Sequence, residues 1–69
     1  MKPKFSQFDD QQLDYFQIIH DTRGPRCAYA FYLGRDNFMT QTSDIETTDV
    51  EDFCIEFYTQ YNSRFGTRY

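Results

Sequence analysis

The sequence is poor in the residues that usually mark chemistry. It has no tryptophan, one histidine, two cysteines, three glycines and two prolines. Glycines at 24, 34 and 66 are too far apart to form GxGxxG or a P-loop, and neither GxSxG nor HExxH occurs. Cys27 and Cys54 stand apart in the chain and form no CxxC pair, so a zinc site or redox couple is not indicated. No apolar run approaches the roughly 18 residues of a membrane span, and no signal-peptide pattern opens the chain. Both cysteines lie among apolar residues and read as reduced core thiols in a cytoplasmic protein.

Charge of one sign is also missing over a long stretch. From 36 to 63 there is no Lys or Arg, while Asp36, Asp44, Glu46, Asp49, Glu51, Asp52 and Glu56 are all acidic. Over the whole chain seven basic against eleven acidic residues give a net charge of -4. Such a field repels phosphate backbones and anionic membranes and attracts cationic protein surfaces. Direct nucleic-acid binding and membrane binding are therefore not expected.

Aromatic residues are abundant. Eight Phe and six Tyr make up 20% of the chain. Each removes roughly 150–250 Å² from water when buried, enough to give a short chain a core without disulfides or metals. One domain over 1–69 is expected, with 1–5 frayed.

Local patterns predict an α+β layout, αβββα. Ser6 with Asp9 three positions on resembles a capping box and places a short helix over 7–13. DYFQIIH (14–20), CAYAFYL (27–33) and FMTQT (38–42) are rich in aromatic or β-branched residues and read as three antiparallel strands, with turns at 21–26 and 34–37. Thr48 then caps a long amphipathic helix. Val50, Phe53, Cys54, Phe57 and Tyr61 form its apolar stripe, and Gly66 ends it. In the meander, Phe16, Ile18, Tyr29, Phe31, Leu33 and Phe38 face this helix. Tyr15, Gln17, Ile19, Ala28, Ala30, Tyr32, Met39 and Gln41 line the other face.

Two contact surfaces follow. Asp49, Asp52 and Glu56 share a face of the C-terminal helix at spacings comparable to successive phosphates of a nucleic-acid strand. Tyr15 and Tyr32 mark the second sheet face, which could pair with another copy or lie under the N-terminal segment. His20, Asp21 and Cys27 could meet across the first hairpin loop as a nucleophile pair or metal ligands. They lack a cleft, an oxyanion site and any established ligand spacing, so they read as structural. Thr22–Arg26 is a basic tip that could hold an anion or simply aid solubility.

No catalytic residue, metal or cofactor is expected. In composition and expected element order the chain resembles small acidic inhibitors encoded by phages and mobile elements, including some anti-CRISPR and DNA-mimic proteins. That resemblance implies a non-enzymatic protein-binding inhibitor or regulator, directed at a basic surface such as that of a nucleic-acid-binding protein. Contacts would fall on Asp49, Asp52, Glu56, Tyr15 and Tyr32. The alternative is an assembly module that homodimerises through its open aromatic sheet face.

Overall fold

The computed structural model describes residues 5–69, and the element order is three helices: α1 (Asp10–Arg23), α2 (Pro25–Tyr32) and α3 (Thr47–Phe65). Among the described residues 63% are helical and none lies in a strand. The expected α+β meander is therefore wrong. Its strands at 14–20 and 27–33 are helix, and the segment at 38–42 is irregular.

α1 begins three residues later than expected, and the reason lies in its cap. Asp9, in extended backbone, is the N-cap. Its carboxylate accepts from Gln12 N at 2.8 Å, and the Gln12 side chain accepts from Asp9 N at 3.1 Å. This is a complete capping box with the preferred Gln at its fourth position. From there Leu13, Phe16 and Ile19 are buried at helical spacing. Ile18, assigned to a packed sheet face, is instead 47% exposed.

Gly24 ends α1 and starts α2. Its φ of 103° is open to glycine and strained for other residues, and its N–H donates to the Ile19 and His20 carbonyls at 3.1 Å each. Pro25 follows at the first position of α2, where a missing N–H costs nothing. One residue thus turns the chain between two helices. In α2 four consecutive residues, Cys27, Ala28, Tyr29 and Ala30, are buried. A half-buried strand would alternate. A short helix packed from several sides does not, and the small Ala28 and Ala30 let the neighbouring backbones approach.

The connection from 33 to 46 is held by two arginines. Arg35 grips Asp44 with two hydrogen bonds of 2.7 and 2.8 Å. Arg26 donates to the Thr42 and Ile45 carbonyls and to Thr47 Oγ1. Ile45 drops into the core between these ties. α3 matches its expected course closely. Its N-cap is Glu46 rather than Thr48, without a side-chain bond, and Gly66 closes it at φ 97°. Val50, Phe53, Cys54 and Phe57 of its stripe are buried, and Tyr61 packs against the core.

The core is a phenylalanine cluster. Phe8, Phe16, Phe53 and Phe57 are almost wholly enclosed, with Phe16 edge-on to Phe8 at 5.1 Å and to Phe53 at 5.2 Å. Edge-to-face contacts of this kind add about 0.5–1.5 kcal/mol per pair beyond area burial. Phe5 joins them and is buried; of the segment 1–5 expected to fray, residues 1–4 lie outside the described residues. The C-terminal segment closes one end. Tyr69 stacks on Tyr58 at 4.7 Å, and Arg68 and Tyr69 both donate to the Asp21 carboxylate.

Candidate protein-binding surface

α3 offers two flanks beside its buried stripe. With Val50 at zero and 100° per residue, Asp52, Glu56 and Asp49 fall at about 200–260°, and Cys54, Thr47, Tyr58, Glu51 and Ile55 span about 40–140°. The predicted acidic trio therefore does share one flank. It is not three open carboxylates. Asp49 and Glu56 are half-buried, Glu56 accepts from Gln60 Nε2 at 3.5 Å, and Asp49 and Asp52 each already have an interaction within the chain. Phe5 lies beside Asp52, Ile55 and Glu56 in a shallow depression.

The other flank forms one wall of a groove of about 670 Å³. Its opposite wall is the α1–α2 corner, Arg23 to Arg26, and its α3 wall runs from Thr47 through Val50, Glu51, Cys54 and Ile55 to Tyr58. Ile55 is 62% exposed, more than any other large apolar residue described. Arg26 is spent on the loop. The side chains of Arg23 and Glu51, on opposite rims, form no hydrogen bond or ion pair with the described residues.

The Tyr58 hydroxyl in the groove wall ends a chain of hydrogen bonds that runs through His20 to Asp21. The Asp21 carboxyl is held down at about 2, chiefly by the Gln17 side-chain amide, with His20, Arg68 and Tyr69 adding donors against the opposing effect of burial. It is an acceptor at neutral pH. In the neutral imidazole, His20 Nδ1–H then donates to Asp21 Oδ1 at 3.2 Å, leaving Nε2 to accept from the Tyr58 hydroxyl at 2.7 Å. The Cys54 thiol lies one turn before Tyr58 on α3. Burial, reinforced by Cys54, pushes the Tyr58 hydroxyl up to about 12. Burial also raises the Cys54 thiol. A thiol raised by burial is a poor nucleophile at neutral pH.

The His20, Asp21 and Cys27 grouping does not assemble. Cys27 is buried and its thiol points at the Met39 carbonyl, 3.9 Å away. Among the described residues no group of three His, Cys, Asp or Glu side chains is placed to hold a metal, and no helix is long and apolar enough to cross a membrane. The basic tip at 22–26 is dismantled too: Thr22 Oγ1 donates to the Ile18 carbonyl at 2.7 Å, and Arg26 faces inward.

Tyr15 and Tyr32 do not share a face. Tyr15 is on α1, 46% exposed, with its ring 5.7 Å from Phe31. Tyr32 packs among Phe5, Phe8 and Phe53 at 5.4–5.6 Å. The aromatic sheet face, and the homodimer built on it, therefore have no structural basis. Sequence reasoning did not single out Ile55; it placed Glu51 in the acidic stretch and Arg23 in the basic tip without bringing the two to one groove. The signal for Ile55 was present: an apolar residue off the Val50 stripe, between Asp52 and Glu56. No protein-family model matches the chain, and none of the curated proteins or solved structures compared with it gives a significant match.

Proposed function

We propose that this chain is a small, non-enzymatic protein-binding module that regulates or inhibits a cytoplasmic partner with a basic surface, a nucleic-acid-binding protein being the class its charge favours. The observation that carries this reading is Ile55, a large apolar side chain left 62% exposed on an acidic helix and beside a groove. Burying an isoleucine against a partner contributes about 1.5–3 kcal/mol. The surrounding carboxylates steer a cationic surface toward it and raise the association rate. Of the inhibitor resemblance, the small size and acidity still support the reading, while the α+β element order no longer does.

The test is capture by the immobilised chain from a lysate at low and high salt, in wild type, Ile55→Asp and an Asp49→Asn, Asp52→Asn, Glu56→Gln triple variant. Partner retention should fade with salt, fall in the triple variant and be lost in Ile55→Asp while all three proteins stay helical by circular dichroism. Retention that neither variant alters would remove α3 from the contact and the reading with it.

A further inference from the structure

Resting on the protein-binding reading, the geometry points to the form of the partner: we infer that the groove between α3 and the Gly24 corner receives a single amphipathic helix, with acidic side chains along one flank and basic side chains along the other.

Shape comes first. The α3 wall from Thr47 to Tyr58 is about 16 Å long at 1.5 Å per residue. That is three turns, the footprint of helix-in-groove recognition. Val50, Cys54, Ile55 and Tyr58 give it an apolar wall on successive turns. Strand addition needs a free sheet edge, and the described residues contain no strand. A small-molecule site needs a few convergent polar groups to fix its ligand. Here the Tyr58 hydroxyl is engaged by His20, and the open charges, Arg23 and Glu51, stand on opposite rims instead of converging.

Charge fixes the rest. Arg23 on the corner rim and Glu51 on the α3 rim have opposite sign, and neither forms an ion pair with the described residues. An occupant of one sign would satisfy one rim and oppose the other. A helix whose apolar stripe is flanked by acid on one side and base on the other satisfies both. Flanking charges of this kind select partners in paired helices.

The experiment titrates the isotope-labelled full chain with three capped synthetic helices of about 15 residues, long enough to span the groove. Each carries leucines at i, i+3, i+4 and i+7 spacing. One has Lys on one flank and Glu on the other, one has Lys on both, and one has Glu on both. The mixed helix should bind tightest and shift the amides of Gly24, Glu51, Cys54 and Ile55. Arg23→Glu should move the preference to the Lys/Lys helix, and Glu51→Arg to the Glu/Glu helix. Ile55→Asp should weaken all three by about tenfold or more, a loss of about 1.4 kcal/mol. Equal affinities, shifts confined to other surfaces, no binding by any helix, or unswitched preferences would each overturn the inference. If the helices fail while Ile55→Asp still abolishes capture from lysate, the partner is not a helix but the protein-binding reading stands. If both fail, the reading falls as well.

Discussion

At the scale of single residues, the enclosed rings contribute most to stability. Phe57 has no solvent exposure and touches Phe16, Phe53, His20 and Tyr69. Phe57→Ala should cost roughly 3–5 kcal/mol, a large part of the 5–15 kcal/mol typical of a whole domain. Chemical denaturation checks this, and an unchanged midpoint would place Phe57 outside the core. Asp21 gives a pH prediction of definite sign. Its carboxyl titrates at about 2 when folded against an ordinary value of 3.8. A depressed carboxylate stabilises the fold above its unfolded value, and that contribution is lost as pH falls through the folded value. The melting-temperature gap between wild type and Asp21→Asn should be full at neutral pH, shrink from about pH 4 downward, and be nearly gone near pH 2. A gap that persists at pH 2 would mean the carboxylate charge is not what Arg68, Tyr69, Gln17 and His20 recognise.

At the scale of elements, α3 was legible in the sequence and α1 and α2 were not. In α3 the helical period runs unbroken from Val50 to Phe57, so local pattern and tertiary burial agree. In α1 the informative spacing, Leu13, Phe16 and Ile19, runs across the boundary between the expected helix (7–13) and the expected strand (14–20), so neither segment alone displays it. DYFQIIH has good strand propensity, but burial on one helical face overrides it. In α2 the large–small alternation of CAYAFYL imitated a strand, although the alanines serve close packing. Gly24–Pro25 is chain punctuation in either fold, and local sequence does not distinguish a one-residue helix–helix corner from a hairpin loop. That corner is testable. A Cβ at Gly24 would meet open space, so Gly24→Ala probes the backbone alone. Its φ and ψ of 103° and 165° lie in a region that is essentially glycine's, and alanine there should cost on the order of 1–3 kcal/mol. At the other end of α1, Asp9→Ala should cost about 1 kcal/mol through loss of the cap. Carbon secondary shifts should report helix through 14–23 and 25–32; strand-like values there would restore the meander.

At the scale of the whole molecule, the candidate surface was half legible. Charge counting found the acidic helix, because net sign needs no three-dimensional information. It could not find the groove, which exists only where the corner of α1 and α2 stands opposite α3. Arg23 and Glu51 are 28 positions apart, and nothing in the local sequence announces that they rim one cleft. The corner also has a consequence in time. Only Gly24 separates α1 from α2, so these two helices can meet with almost no loop to close, whereas α3 must return across the 33–46 connection. Loop closure is the cost met before non-local contacts form, which makes the α1–α2 pair the natural folding nucleus. Ala28, with no exposure in α2, belongs to that nucleus, and Ala28→Gly should mainly slow refolding. Val50→Ala, in the late-docking α3, should mainly hasten unfolding. Stopped-flow chevrons would separate the two. If the assignments came out reversed, the chain would nucleate on its longest helix, and the corner would be the last turn made.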